Sequence, residues 1–443
     1  MPEFTAGFGL SRITPSTSVR LAGYAARTAK SQGVHDDLYA RALVLHDGER
    51  ALALVSVDVL AVDSAFVAQL RARISEAVGL TPEAVMIAAT HTHGGPVTTV
   101  MFSPEELTVD AAYLESLQTS IVNAVTTAFH NRFQARIGVG STCAAGIGGN
   151  RHRLEGATDA ELGVLKITDL SGQPRAVCLN YACHPTVLGP GNLQITADFP
   201  GFAVNRVSER LRGDVFAMFL NGAAGNISVG RSPKATALGL TGPGRTFERA
   251  EKIGHELADA AIKTLPSIAT VEACTVDFAT RTIDLDLRSL PSPAEAEAAM
   301  RHAHQRLQNL RTNGSDSAEI QNAQLHALYA SLTHFEACRR ATGKLRERIE
   351  IQCFLVGDTF FLGMPVEPFV EIGLELKRTA EARLFVVELA NGYLGYLPAS
   401  GASEEDGYET VSARFAAGSD RVVISAALEL MQDLLKRAEG IHS

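Results

Sequence analysis

Several features are missing from this 443-residue chain, and each absence narrows what it can be. No apolar run approaches the roughly 18 residues that a membrane-spanning helix needs, so no span is expected. No basic block or stripe appears and the formal net charge is −9, which argues against a nucleic-acid partner. The start, MPEFTAGFGLSRITPS, lacks a positive stretch followed by an apolar one, so no secretion signal is expected. The six cysteines (143, 178, 183, 274, 338 and 353) form no CxxC pair; read as reduced thiols, they place the protein in the cytoplasm. Internal repeats and low-complexity segments are absent too.

What is present is an α/β pattern. With 46% hydrophobic residues the chain can bury a large core. RALALVSVDVL and AVMIAAT read as buried strands. Between them, residues 63–79 carry apolar groups at helical spacing and end on Gly79, a C-cap. Strand, helix, strand implies a parallel pair with a crossover helix. Further helices are expected at 111–131, 198–213, 246–265 and 367–382. The expected fold is therefore a mixed, largely parallel central sheet flanked by helices. We read 1–443 as one catalytic domain, with an Ala-, Glu- and Arg-rich helical hairpin at 291–348 inserted in it. The hairpin is a candidate lid or subunit contact, the latter making the chain a homo-oligomer.

Chemistry gathers at strand ends, where open α/β sheets bind ligands. The stretch ATHTHGGP puts His91 and His93 on one face of an extended segment. NYACHPT delivers His184, LGMPVEPF delivers Glu367, and LANGYLGYLP delivers Tyr393 and Tyr396. Two imidazoles and a carboxylate match a catalytic zinc site with an open position. The metallo-β-lactamase pattern HxHxDH is excluded, because HTHGGP follows instead. An amidohydrolase barrel is excluded because strands and helices precede the pair. The GxSxG elbow of serine hydrolases is excluded by Asn226, two residues before Ser228.

These motifs in this order, together with GAAGNIS and the opening AGFGLSRITP…LAGYAARTAKSQGVHDDLYARALVL, resemble the neutral (alkaline, non-lysosomal) ceramidase family. The resemblance covers most of residues 5–235 and 350–410. It implies a zinc amidase that splits N-acyl bonds. It implies His91, His184, Glu367 and Tyr393 as zinc ligands and His93 as their neighbour or a substrate contact. It places Arg151 facing substrate and Asp198 at the family's acidic position. Ser228 falls on the family's serine, while Asn226 and Val229-Gly230 replace that serine's usual neighbours.

Two nucleophiles stay open on this reading, metal-activated water and Ser228. Arg151 or His93 would steady the oxyanion. His93 would alternatively pass a proton to the leaving group. Gly94 and Gly95 are expected to leave space for substrate, which Asp198, Asn226 and Tyr396 would also contact. With neither a lipid-binding module nor the family's C-terminal immunoglobulin-like domain expected, the substrate is a small soluble amide first, an ester or lactone second. A family member that binds a ligand without catalysis is the competing reading.

Overall fold

The computed structural model describes residues 3–100, 109–153, 155–212, 214–229, 238, 244–340, 343–401 and 407–441. Eight strands form the first sheet: β1 (Thr5–Arg12), β2 (Tyr39–His46), β3 (Ala51–Val57), β4 (Val85–Ala89), β5 (Phe133–Cys143), β6 (Glu161–Asp169), β7 (Pro174–Tyr181) and β8 (Phe216–Asn221). Their order is β8-β7-β6-β5-β1-β2-β3-β4. The sheet is mixed, and its connections explain how. Helix α1 (Ser64–Val78) carries the chain from β3 over to a parallel β4. Helix α3 (Asp198–Arg210) likewise joins β7 to a parallel β8. The pairs between these two ends are antiparallel, because tight turns link β2 to β3 and β6 to β7. Parallel pairing is thus confined to the two ends of the sheet, which carry the histidines.

A second sheet holds β9 (Val276–Asp286), β10 (Arg346–Val356), β11 (Thr359–Gly363) and β12 (Arg383–Val387), in that order. Side chains alternate along the strands of the first sheet, so each face has its own core. On one face, β2–β4 pack against α1 and α2 (Ala111–His130). Farther along, β6–β8 pack against α3 and α4 (Phe247–Thr264). The opposite face meets the second sheet through Leu43, Leu54, Met86, Phe354, Phe361 and Phe385. The second sheet's outer face is covered by α7 (Val370–Thr379) and α9 (Ser419–Ile441). Four layers result, α-β-β-α, and the central strands are buried on both faces, which is why they read as continuous apolar runs.

The expected hairpin appears as α5 (Pro293–Thr312) and α6 (Ser317–Arg339). Ser292 and Glu295 form a capping box on α5, and the Asp316 side chain accepts from Glu319 N at 2.9 Å on α6. The expected caps of α1 are also present. The Asp63 side chain accepts from Phe66 N at 2.8 Å, and Gly79 ends the helix at φ +74°. Helices α8 (Tyr408–Ser412) and α9 were not expected from the sequence. Among the described residues no helix is long and apolar enough to cross a membrane.

One further feature positions the site. The first sheet curls until its edge strands β4 and β8 approach each other. Ser56 Oγ of β3 donates to Phe219 O of β8 at 2.6 Å. The segment after β12 closes the seam: Glu388 N donates to Asn221 O at 3.1 Å, and Asn391 N donates to Ile87 O at 2.8 Å. Strand ends far apart in the sheet order thereby come together.

Candidate metal centre

His91 follows β4, His184 follows β7, and Glu367 lies in a two-residue strand between β11 and α7. The three side chains meet in the interior, each essentially inaccessible to solvent. His184 Nε2 is 3.0 Å from Glu367 Oε2, and His91 Nε2 is 3.3 Å from the same oxygen. The outer nitrogens are committed elsewhere. His91 Nδ1 is 2.9 Å from Leu60 O, and His184 Nδ1 is 2.7 Å from Ala224 O. A carbonyl only accepts, so each Nδ1 carries the hydrogen. Both Nε2 atoms then point at the carboxylate oxygen.

Two imidazole nitrogens and a carboxylate oxygen this close together suit a cation between them. Among the described residues His91 Nε2 makes no hydrogen bond of good geometry, and buried Glu367 Oε1 makes none at all. Carbonyl-held imidazoles that turn Nε2 inward are how proteins orient metal-ligating histidines. His93 joins the group. The ligand atoms of His91, His93 and His184 all lie within 4.8 Å of one another. Among the described residues both ring nitrogens of His93 are buried without a hydrogen-bond partner. The sequence expectation made His93 only a neighbour; the structure brings it as close as a third imidazole. The backbone adds its own sign of constraint, since His91 is held at φ +67°, rare for a non-glycine.

Electrostatics favour neutral His93 and His184 beside an ionised Glu367. Burial, with the Arg151 charge next, lowers the His184 pKa to about 4. Burial also takes His93 well below its ordinary value, helped by the neighbouring His91 and His184. Burial works against the Glu367 charge, yet His91 and His184 hold its carboxyl well below the usual range.

Arg151 is the cation beside this group. Its Nη2 donates to Gly225 O at 2.7 Å and to the Tyr396 hydroxyl at 3.1 Å, and lies 3.4 Å from His184 Nε2. Its Nε is 2.5 Å from Glu409 Oε1, and the other oxygen of Glu409 is 2.7 Å from His152 Nε2. Burial disfavours the Arg151 charge, but Glu409, Tyr396 and Glu367 more than restore it. Glu388 is a second buried carboxyl. Its Oε2 accepts from Ala224 N at 3.0 Å, and burial beside the Glu367 charge pushes its pKa well up. Sequence reasoning missed Glu388, Glu409 and His152. Glu388 follows β12 as Glu367 follows β11, and that strand-end position was the one available signal.

The family model described as "Neutral/alkaline non-lysosomal ceramidase, N-terminal" matches residues 4–303. The chain belongs to the neutral/alkaline non-lysosomal ceramidase family. The neutral ceramidase of Drosophila melanogaster is 24% identical over 310 residues, covering 59% of this chain and 44% of that protein. The neutral ceramidase of Pseudomonas aeruginosa is 27% identical over 246 residues, covering 50% and 36% respectively. The chain thus spans under half the length of these relatives. The crystal structure of the Pseudomonas aeruginosa neutral ceramidase superposes with a TM-score of 0.77 at 21% identity, over 99% of this chain and 75% of that one. A structure of a ceramidase complexed with C2 gives 0.76 at 18% identity, over 99% and 76%. At these identities the superpositions show a shared fold.

Several expected site residues of this family member take other places. Tyr396, rather than Tyr393, stands beside Glu367 and His184. It is the register partner of Glu367 in a parallel pairing, and its ring stacks on His184 at 6.3 Å. Tyr393 is half-buried and lines a neighbouring cavity. Asn226, expected at the substrate, is engaged in structure: its Oδ1 accepts from Val370 N at 2.8 Å and its Nδ2 donates to Glu371 at 2.9 Å, holding the start of α7. Asp198 is engaged likewise, accepting from Val187 N at 3.1 Å and Phe199 N at 2.7 Å. Gly94 leaves no free space, since a Cβ there would lie 2.5 Å from the Thr196 methyl and 2.6 Å from its carbonyl oxygen. A Cβ on Gly95 would be 3.3 Å from Asp58 O. Close packing, and not a void for substrate, explains the two glycines. Ser228 is buried in a parallel bridge to His184, next to the ligands.

A larger cavity of about 660 Å³ lies elsewhere, lined by Ile137, Val271, Cys274 and Asp277 among others. None of the converging imidazoles lines it or the smaller cavity of about 340 Å³, but the smaller one has Tyr396, the hydrogen-bond partner of Arg151, in its wall.

Proposed function

We propose that this protein is a zinc-dependent hydrolase that cleaves the C–N bond of an N-acyl amide. The observation that carries the reading is the convergence of the His91 and His184 Nε2 atoms on one oxygen of Glu367, with both Nδ1 atoms committed to backbone carbonyls. Unpaired buried acceptors of nitrogen and carboxylate type suit a divalent ion such as zinc. His91, His184 and Glu367 would hold it, with His93 and the Tyr396 hydroxyl facing the same space. Zinc there would supply Lewis-acid polarisation of the scissile carbonyl and acidify water. The names of the relatives support an amide of the ceramide kind, a fatty acyl group on an amine.

The chain's own groups then divide the work. Arg151 brings a fixed, fully charged guanidinium to the place where the carbonyl oxygen gains charge. Because it is anchored by Glu409 and Tyr396, it needs no reorganisation as charge develops. His93 is neutral, and its Nδ1 side faces Gly23, leaving Nε2 on the other side of the ring. It accepts a proton there and passes it to the departing amine. Burial of the whole group excludes bulk water and strengthens each interaction. Water is the proposed nucleophile; Ser228, bridged to His184, is the second candidate.

The test is a panel of N-acyl amides, esters and lactones, assayed with and without chelator. Amide cleavage that chelator abolishes and zinc restores supports the reading. Cleavage of esters or lactones alone moves the function to that class. Near-normal turnover by Ser228→Ala excludes a nucleophilic serine.

A further inference from the structure

Tyr396 belongs both to the metal centre and to the wall of a cavity of about 340 Å³. The opposite wall comes from the end of α6, the segment between β9 and α5, and the residues at and after the end of α8, and it is rich in arginine. Arg288, Arg339 and Arg414 all line it. Among the described residues their counter-charge is short. One carboxylate, Glu336, serves three guanidiniums: it accepts from Arg340 Nε at 2.7 Å and lies 3.3 Å from Arg414 Nε and 3.4 Å from Arg339 Nε. Glu347 is 3.5 Å from Arg414 but is shared with Lys344 at 2.6 Å. Arg288 donates only to the backbone carbonyls of Thr410 and Val411, and its buried Nε has no hydrogen-bond partner among the described residues. The cavity's other acid, Asp63, is taken up in capping α1. On a chain of net charge −9, this wall is a local cationic excess.

Guanidiniums that outnumber their carboxylates in a part-buried wall attract an anion, and their planar forks suit carboxylate or phosphate. Leu332 and Phe335, on the same helix end, supply apolar surface beside them. We propose that the substrate carries an anionic group, a carboxylate or a phosphate, near the scissile amide, and that Arg288, Arg339 and Arg414 receive it. This rests on the N-acyl amide reading above. The helical hairpin then has a purpose, because α6 supplies one side of the headgroup site.

Three N-acyl compounds with the same acyl chain test this: an amide of a neutral amino alcohol, of the matching amino acid, and of the amino alcohol's phosphate ester. Each is assayed for kcat/KM with the zinc-loaded full chain, and its binding is followed by calorimetry. At least one anionic compound is expected to exceed the neutral one by about tenfold or more, and the better of the two identifies the group. That preference should shrink as salt rises. Arg339→Ala should lower the anionic-to-neutral ratio by about tenfold, mainly through KM, with partial recovery in Arg339→Lys. Equal values for all three headgroups, or a ratio that Arg339→Ala does not move, overturn the proposal. If none is hydrolysed, the amidase reading fails, and the calorimetric preference alone then decides for or against the anion site.

Discussion

Glu367 and Tyr396 are register partners in a parallel two-residue pairing, and that single pairing puts a phenol beside the carboxylate between the two histidines. The pairing continues through Glu367 N, which donates to Gly395 O at 3.0 Å. Burial and the Glu367 charge raise the Tyr396 pKa far above its ordinary value, so without a cation the hydroxyl keeps its proton.

Tyrosine substitution separates the two candidates at this strand end. Tyr396→Phe removes the hydroxyl that accepts from Arg151 and faces the metal ligands. Its kcat is expected to fall by about tenfold or more, the worth of a charge-assisted hydrogen bond. Tyr393→Phe should cost less. Steady-state kinetics of both variants on one amide checks the order, and the reverse order would restore Tyr393 to the centre.

Arg151 and Glu409 form a buried pair with unequal consequences for their loss. Arg151→Ala should lower kcat by about 10²–10³-fold, the usual effect of removing an oxyanion donor. Glu409→Ala leaves Arg151 and His152 without their shared carboxylate. Breaking such a buried pair costs about 3–5 kcal/mol of stability. Urea unfolding should therefore single out Glu409→Ala as the less stable protein.

Gly23 is the floor under His93. It adopts φ +93°, and a Cβ would lie 2.2 Å from His93 Nδ1, a distance no real contact tolerates. Gly23→Ala should displace the imidazole and lower kcat while zinc content stays at the wild-type level. Loss of zinc together with activity would instead make His93 a ligand.

Much of this centre was legible in the sequence because strands that end on histidine or glutamate announce themselves. A buried β-strand is a run of apolar residues, and the first polar side chain after it lies at the sheet's end. His91, His184 and Glu367 were found that way. Tyr396 was confused with Tyr393 because both lie in one short loop, and the choice depends on a two-residue pairing that leaves no periodic trace. Glu409 and Glu388 were missed because their partners are hundreds of residues or several strands away. The extent of antiparallel pairing was hidden too: strand–helix–strand order reveals a crossover, but strands far apart in sequence do not announce their neighbours. Gly94, Asn226 and Asp198 read as substrate contacts in the sequence, and the structure engages them in close packing and at helix starts.

Asp198 offers a pH test. Burial raises its pKa from 3.8 to about 7. The folded chain therefore binds a proton that the unfolded chain has lost between those values. By linkage this contribution to stability is present at low pH and fades as pH rises through about 7. Asp198→Asn removes the titration. The wild type should lose more stability than the variant between about pH 5 and pH 8. Parallel unfolding curves for the two would contradict the burial argument.

Zinc content is the most direct measurement. Elemental analysis of the purified full chain should find about one zinc per molecule. Glu367→Gln and His184→Ala should lose it while circular dichroism shows the fold retained. A folded wild-type chain that stays free of transition metal after incubation with zinc would contradict the central claim.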